Sequence, residues 1–386
     1  MKKTFILLLI LLPFIGAKAN DGVFYAQGNH LIPITETDIS VKKEILTINR
    51  VGDHLEVTVY YEFFNPAKPK DLLVGFEASA PYPYEEDYMQ LFPEQPHMRN
   101  FKVVVNGEPL KYQVAHVSSG YYDIDKDDWV VPDYFANGKM QSWTRQQCED
   151  SLKARDYFDY PFNFVYHFNA HFREGLNIVQ HTYDYDLSMS VGEEYNFPYV
   201  LTAANRWANH QIDDFTLNID MGEMESFIIE PSFFESIDEW NINGIGRKNY
   251  HTYYDVDYPM FHLQKGGLTF HKVNFHPEGE LNISKPDLAM ILSWSENHDA
   301  ATVLEGAKHQ YANWYHYLQF NIAKFSKDDQ RILKNIPFAY RGYVFKTEAL
   351  QRFFESTDWY VPDPNYEADM TKMTPEEREW IQHWSK

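Results

Sequence analysis

The chain is poor in cysteine and in basic residues. Cys148 is the only cysteine among 386 residues, so no intrachain disulfide can form and the disulfide-stapled class is excluded. Lys and Arg total 34 against 56 Asp and Glu, which gives a formal net charge of -22. Because this acidic surplus repels a phosphate backbone, we expect no nucleic-acid partner. Cys148 itself is expected to be buried rather than catalytic, since nothing in the sequence pairs it with a base.

Signatures of the most recognisable enzyme classes are also missing. The sequence contains no Gly-x-Ser-x-Gly, no His-Glu-x-x-His, no phosphate-binding loop and no dinucleotide glycine fingerprint. Their absence argues against the common hydrolases, zinc proteases and nucleotide-binding enzymes. The sequence therefore predicts no cofactor and no catalytic residue, and it favours binding over catalysis while leaving both open.

The N-terminus has the pattern of a secretory signal. Two lysines precede an apolar run at residues 5–15, and Ala17-Lys18-Ala19 then supplies the small residues that a signal peptidase recognises. The run is shorter than the roughly 20 apolar residues that span a bilayer. We therefore expect residues 1–19 to be removed, and the mature protein to lie in the periplasm or outside the cell with no transmembrane anchor.

Period-2 alternation dominates residues 20–295. Residues 44–50 and 55–63 alternate on either side of a short link that contains Gly52, which predicts a hairpin. Asn106-Gly107 between two alternating runs predicts a second hairpin. Further strand-like runs occupy residues 162–168, 176–185, 214–220, 267–275 and 288–294. So many strands without intervening helices favour an antiparallel β-sandwich.

A polar insertion interrupts this pattern at residues 121–161. It contains Trp129, Trp143 and Cys148, and its spacing predicts a short helix over residues 142–155. Long insertions of this kind are usually functional or disordered, and the tryptophans favour an ordered one.

Helical spacing replaces the alternation near residue 296. We predict a connecting segment at 296–325 and a small helical domain at 326–386. Ser326 and Thr347 stand at predicted helix starts, and Thr374 with Pro375 and Glu377 has the pattern of a capping box. The predicted class is thus α+β, a sandwich followed by a helical domain. Because so small a domain is marginal alone, we expect it to dock onto the sandwich through residues 311–320.

The tail resembles the YARHG domain of bacterial extracytoplasmic proteins. The resemblance covers roughly residues 326–384, and Phe338, Tyr340 and Arg341 replace the Tyr, Arg and His of the naming motif. The residues that carry it are Ala339, Arg341, Gly342, Tyr343, Phe345, Leu350, Phe354, Trp359 and Tyr360. The same residues can also be explained as packing, with Gly342 at a helix end that requires a positive φ.

Residues 20–295 are similar, more weakly, to an uncharacterised family of secreted bacterial β-proteins. Residues 45–66, 172–183 and 201–217 carry this similarity. Neither resemblance implies a reaction or a substrate. Together they imply a secreted interaction protein.

Two metal hypotheses arise from the residue pattern. Asp123, Asp125 and Asp127 alternate as in a calcium loop, but the required glycine and closing glutamate are absent, so a solvated acidic loop is the better interpretation. His167 and His171 would lie about 13 Å apart on a strand, too far for one ion. The later histidines His262, His271 and His276 form a looser group.

Loop aromatics are the candidate binding residues, namely Tyr82, Tyr84, Trp129, Trp143 and Trp314. Such rings stack on sugars or bind peptides when they lie at loops. We therefore expect a cell-envelope glycan, peptidoglycan or protein as the partner. The alternative is an envelope glycan hydrolase with carboxylates from separate loops, because adjacent acids on one strand point to opposite faces and cannot form the required pair.

Overall fold

The computed structural model describes residues 30–33, 38–78, 91–118, 121–123, 128–130, 135–136, 139–154, 162–190, 193–253, 256–286, 300–311 and 322–386. Within these ranges the chain forms twenty strands, which are β1 (His30–Pro33), β2 (Ser40–Val51), β3 (His54–Asn65), β4 (Lys70–Ala78), β5 (Met98–Val105), β6 (Glu108–Leu110), β7 (Gln113–Ser118), β8 (Tyr121–Asp123), β9 (Asp128–Val130), β10 (Phe135–Ala136), β11 (Lys139–Met140), β12 (Phe162–Phe172), β13 (Gly175–Asp186), β14 (Ser188–Ser190), β15 (Glu193–Tyr199), β16 (Ile212–Asp220), β17 (Glu225–Ile229), β18 (Trp240–Tyr253), β19 (Val256–Phe275) and β20 (Leu281–Pro286). The described α-helices are α1 (Arg145–Lys153), α2 (Ala300–His309), α3 (Lys327–Tyr340), α4 (Glu348–Glu355) and α5 (Pro375–His383). In these ranges no helix is long and apolar enough to cross a membrane.

A twelve-stranded sheet forms the body of the molecule. Its order is β14-β15-β20-β17-β19-β16-β2-β3-β13-β5-β6, and β18 pairs with β19 beside this path. The central pair β2–β16 is parallel, whereas the other strand pairs described are antiparallel. The purely antiparallel arrangement that the sequence predicts is therefore wrong at this pair, because alternation reveals a strand but not its neighbour.

Both predicted hairpins are confirmed. Strands β2 and β3 pair from Val51↔His54 onward, and Gly52 in the connecting turn has φ 65°. Strands β5 and β6 flank Asn106 and Gly107, which have φ 53° and 86°. Positive φ at both central residues is the geometry of the type I′ hairpin turn, which Asn-Gly favours.

A second sheet covers part of the first. Its order is β1-β4-β12-β7, and Phe76 of β4 lies 5.1 Å from Phe101 and 5.3 Å from Tyr183 between ring centroids. Phe172 of β12 likewise meets Phe63 of β3 at 5.8 Å. The predicted class, a β-sandwich followed by a helical region, is confirmed.

The long sheet also folds back on itself. Tyr185 of β13 packs against Phe197 of β15 with ring centroids 5.1 Å apart, although six strands separate these two in the sheet order. The hydroxyls of Tyr61 and Tyr199 approach to 3.5 Å. The two ends of the sheet therefore share one buried core.

The predicted helix of the insertion is present as α1. Thr144 caps it, and Gln147 completes a capping box by accepting from the Thr144 backbone. Cys148 lies on the inner face and is fully buried, as the sequence predicts. Burial raises the pKa of the Cys148 thiol, so this cysteine holds its proton and packs as a small apolar residue.

The tail forms a separate hydrophobic cluster around Trp359 and Trp380. Helix α2 lies within the predicted connecting segment, and its Val303 and Ala307 are buried in this same cluster. Gly342 follows α3 with φ 81°, and a Cβ there would lie 2.6 Å from the Val361 carbonyl oxygen. The prediction of a positive φ at this helix end is confirmed. The domain boundaries given from sequence stay predictions.

Candidate functional site

An open cleft lies between the segment after β17 and the end of β19. Its volume is about 330 Å³, which is at the lower end of the range for small-molecule sites, roughly 300–1,000 Å³. The residues that line it are Ser232, Phe233, Phe234, Glu235, Lys272, Asn274, Phe275, His276 and Glu278. We refer to this set as the cleft.

Three buried phenylalanines form the apolar part of the cleft. Phe233 and Phe275 pack on Phe270, with ring centroids 5.4 Å and 5.9 Å away. Phe234 meets Trp240 edge-on at 5.5 Å. Each ring is held by other aromatic rings and is at most 7% exposed, so the apolar surface is preformed and consists of ring edges only.

Glu239 orders the polar side of the cleft. Its carboxylate accepts hydrogen bonds from the backbone N–H groups of Glu235 and Ser236 at 2.7 Å and 3.0 Å, and from Lys272 Nζ at 2.8 Å. Partial burial alone would raise the pKa of Glu239, but the bonds from Lys272 and the two N–H groups lower it overall. Glu239 is therefore a carboxylate that fixes both Lys272 and the backbone of Glu235.

The opposite wall is shaped by a close backbone approach. A Cβ at Gly279 would lie 2.3 Å from the Ser232 carbonyl oxygen, so only glycine lets the two walls meet there. Ser232 Oγ donates to the Glu280 carbonyl, and His276 Nδ1 hydrogen-bonds the His210 carbonyl. These contacts fix the backbone around Ser232 and the ring of His276.

The cleft combines an apolar surface with a rim of both charges. Glu235 and Glu278 supply carboxylates, and Lys272 supplies an ammonium group. Such a surface suits a ligand with an apolar face, hydroxyl or amide groups and some charge. Local sequence patterns do not indicate most of these residues, because the two segments lie about forty positions apart and carry no common motif. His276 is the exception, as a member of the looser histidine group.

A serine–histidine pair elsewhere resembles a catalytic arrangement but is sealed. Ser226 Oγ lies 2.8 Å from His262 Nδ1, and His262 Nε2 lies 2.7 Å from Asn249 Oδ1. Both Ser226 and His262 are fully buried, and the Tyr311 N–H donates to Ser226 Oγ at 3.0 Å. Burial lowers the pKa of His262 to about 3. The group therefore serves packing, since no substrate can reach the hydroxyl.

This serine–histidine pair lies at the interface between the long sheet and the tail. Besides Tyr311, the tail contacts the sheet through Arg247, whose Nη1 donates to the carbonyls of Thr357 and Tyr360 at 3.1 Å and 3.4 Å. The predicted docking at Tyr311 is confirmed, and residues 312–320 lie outside the described residues.

The motif residues of the tail hold its helices together. Arg341 makes a two-pronged ion pair with Glu377 at 2.8 Å and 2.9 Å, and also donates to the Pro337 carbonyl at 2.9 Å. Trp359 donates through Nε1 to the Ala307 carbonyl at 2.9 Å. Tyr360 donates to the Tyr343 carbonyl at 2.8 Å. The other motif residues Ala339, Phe345, Leu350 and Phe354 are buried in the same cluster.

Most predicted ligand residues are not tested by the structure. Asp125, Asp127, Tyr82, Tyr84 and Trp314 lie outside the described residues. Asp123 and Trp129 are described as strand positions, where they pair with Asp128 and Tyr122. The calcium and loop-aromatic hypotheses therefore stay predictions.

Trp143 is the one predicted aromatic whose side chain is described. It is half-buried and packs against Phe162, with ring centroids 6.0 Å apart. Its backbone N–H donates to the His116 carbonyl at 2.7 Å. Trp143 thus fastens the insertion to β7 and β12 and is not among the residues that line the cleft.

The five histidines singled out by spacing do not converge. His167 and His171 lie on β12, and His171 Nδ1 is 2.8 Å from Asp71. His262 is buried at the interface with the tail, and His271 Nε2 is 2.9 Å from Asp214. His276 lies in the cleft. These five histidines therefore lie at separate places in the described part of the chain.

Comparisons with known proteins assign both ends of the chain. Residues 310–386 match the YARHG domain, which confirms the resemblance, and residues 19–129 match a domain of unknown function, DUF4424. No curated protein is similar to the chain. A solved structure of a candidate nutrient binding protein from Legionella pneumophila is 14% identical, with 95% of this chain and 99% of that one covered, and a TM-score of 0.48.

Proposed function

We propose that this YARHG-domain protein is an exported, non-catalytic binding protein of the cell envelope, and that the cleft is its binding site. The signal pattern at residues 1–19 and the YARHG match support export. The preformed apolar surface beside a charged rim supports binding, and this single observation carries the proposal.

A peptidoglycan fragment is the ligand class that fits the cleft best. A sugar ring has an apolar face that packs against the edges of Phe233, Phe234 and Phe275. Its attached peptide carries carboxylate and ammonium groups, which Lys272 and Glu278 complement. The cleft volume of about 330 Å³ accommodates a fragment of one or two units rather than a long strand.

Titration calorimetry of the mature protein with soluble peptidoglycan fragments tests the proposal. We expect saturable binding that weakens about tenfold in Lys272→Ala and in Glu278→Gln, because each loses one charge-assisted contact worth about 1.5 kcal/mol. Glu174→Gln is the matched control, since it removes the same charge from an exposed turn outside the cleft and should bind normally. N-terminal sequencing of the exported protein should begin at Asn20.

Affinity that is unchanged in both cleft variants would place recognition elsewhere on the surface. A loss of similar size in all three variants, the control included, would instead show that the effect is not specific to the cleft. Neither result is compatible with the cleft as the binding site.

Glycan hydrolysis is the second candidate, because Glu235 and Glu278 reach the same cleft from separate segments. Glycosidases require two such carboxylates across the scissile bond. The wild-type protein would then release reducing ends from its ligand, and Glu235→Gln and Glu278→Gln would each abolish that release. Binding without any release of reducing ends by the wild type would exclude this alternative.

A further inference from the structure

Three potential metal ligands meet where the tail contacts the long sheet. They are His251 of β18, His309 at the end of α2 and Asp358 just after α4. Each offers a ligand atom, and these atoms all lie within 4.8 Å of one another. All three residues are half-buried. One ligand comes from the sheet and two come from separate segments of the tail.

Two of the three ligand atoms already lie near the separation that a shared transition-metal ion requires. Zinc bonds of about 2.0–2.1 Å in a tetrahedron place ligand atoms about 3.3 Å apart. His309 Nδ1 and Asp358 Oδ2 are now 2.8 Å apart, so they need to separate by only about 0.5 Å to share an ion. The His251 and His309 rings are already adjacent, with centroids 5.0 Å apart.

The donor set selects the class of metal. Two imidazoles and one carboxylate suit zinc and neighbouring divalent transition metals, whereas calcium and magnesium prefer oxygen ligands alone. Three protein ligands leave a fourth position for water or an external ligand.

A chain of hydrogen bonds runs from Asn249, beside Asp358, through buried His262 and Ser226 to Tyr311. Asn249 lies close to Asp358, and Asn249 Oδ1 accepts from His262. His262 in turn accepts from Ser226, which also accepts from the Tyr311 N–H. Outer partners of this kind orient metal ligands and tune their affinity. The sealed serine–histidine pair thereby gains a role as a support for the site.

We propose that His251, His309 and Asp358 bind one divalent transition-metal ion, most suitably zinc, and that this ion fastens the helical tail to the sheet. The site goes beyond the proposed ligand cleft and uses none of its residues. Because the ligands come from both sides of the interface, the ion stabilises the docked tail over the released one.

A second group of potential ligands, His54, Glu56 and Asp184, provides a competing site. It lies on the adjacent strands β3 and β13, contains a single imidazole, and its Glu56 is exposed. This group has fewer nitrogen donors than the one at the tail interface, and its Glu56 is exposed to water. It is therefore expected to bind a transition metal more weakly. It therefore serves as an internal comparison in the experiment.

Zinc titration of the chelator-treated, full mature protein tests the proposal. Calorimetry should show one equivalent with a dissociation constant below about 1 μM, and hydrogen exchange in the tail should slow when zinc is added. His251→Gln and Asp358→Asn should each weaken zinc binding at least about tenfold. His54→Gln should leave the affinity unchanged. His171→Gln is a further control and should also leave the zinc affinity unchanged. It removes a surface histidine that pairs with the single aspartate Asp71.

Cobalt substitution in the unaltered protein gives an answer that does not depend on variant folding. Cobalt bound by histidine and carboxylate in a tetrahedral site should absorb intensely in the visible range. This absorption should disappear when zinc is added and displaces the cobalt. The proposal is overturned if zinc does not bind, if binding survives His251→Gln, or if His54→Gln alone abolishes it.

Discussion

The core between the two sheets and the interface between the long sheet and the tail each bury one histidine in different surroundings. His181 of β13 lies among aromatic rings, with Phe76 at 5.2 Å and Tyr183 at 6.2 Å between centroids. Neither of its ring nitrogens has a hydrogen-bond partner in the described part of the chain. His262 uses both ring nitrogens, one with Ser226 and one with Asn249.

The difference shows how each region is held. The sheets pack through rings, which attract without strong direction, so that core tolerates an unpaired imidazole. The tail is positioned by directional bonds to Ser226 and from Arg247, and His262 holds the Ser226 hydroxyl in place, so these few polar atoms contribute to its docking. Loss of apolar volume should therefore damage the sheets most, and loss of single hydrogen bonds should act on the tail.

The largest effect is expected from Phe76→Ala. Phe76 contacts the rings of Phe101, Tyr166 and Tyr183 as well as His181, and its removal leaves a cavity that costs about 3–5 kcal/mol. Urea denaturation at equilibrium measures this change in the free energy of unfolding. Val273→Ala, at a side chain 60% exposed, should change it by less than about 0.5 kcal/mol. Equal effects would contradict the packing described here.

At acidic pH both buried histidines should destabilise the folded state. Burial lowers the pKa of His181 and of His262 to about 3 from an ordinary 6.5. Below pH 6.5 both imidazoles therefore bind a proton in the unfolded chain but stay neutral in the folded chain. The contribution of these two histidines to stability is then complete above pH 6.5 and is lost toward pH 3, by about 1.4 kcal/mol per pH unit for each histidine.

Variants separate the two histidines. His181→Leu should remove the share of one histidine, about 1.4 kcal/mol per pH unit between pH 6.5 and 5, without breaking a hydrogen bond. His262→Leu should remove a similar share, but it should also destabilise the protein at pH 7 because Ser226 and Asn249 lose a partner. Urea denaturation at several pH values checks both; an unaltered slope in His181→Leu would show that this residue does not set it.

The smallest effect, and the most local, is expected from Arg247→Ala. Its guanidinium donates to two tail carbonyls, and losing it should weaken tail docking by about 1–2 kcal/mol because the site is partly solvated. Hydrogen exchange should accelerate in the tail while β12 and β13 stay protected. Arg99→Ala, which breaks an exposed pair with Asp186, is the control and should leave the tail unchanged. Faster exchange throughout the sheets would contradict a local role.

Local sequence patterns predict those strands that have one buried and one exposed face. Strands β2, β3 and β13 have one buried and one more exposed face, and their alternation is visible in the sequence. Strand β17 could not be predicted in this way because all five of its residues are buried. A strand that is buried on both faces shows no alternation of apolar and polar residues. One of its faces lies beneath the tail, as the bond between Ser226 and Tyr311 shows.

Helix starts were also predictable, with one difference. Ser326 and Thr374 form the capping boxes that their spacing indicates. Thr347 is at the start of α4, but its hydroxyl makes no cap bond and instead accepts from Arg331 at 3.1 Å. A cap pattern specifies where a helix begins, whereas tertiary neighbours decide what the cap side chain bonds.

The cleft and the ligand group at the tail interface could not be predicted from local patterns. Glu235 and Glu278 come together only because β18 and β19 pair as a long hairpin. His251 and Asp358 are more than a hundred positions apart and meet only once the tail has docked. Strand order and docking decide both sites, and neither is encoded in the spacing of the residues involved.

The parallel pairing of β2 with β16 imposes an order on folding. Residues 40–51 remain without one neighbour until residues 212–220 have joined them, and pairings of such separation form slowly, typically over milliseconds to seconds. Until then the first half of the chain presents a bare strand edge to any other polypeptide nearby. A fragment ending before residue 212 should therefore aggregate rather than persist as a folded half.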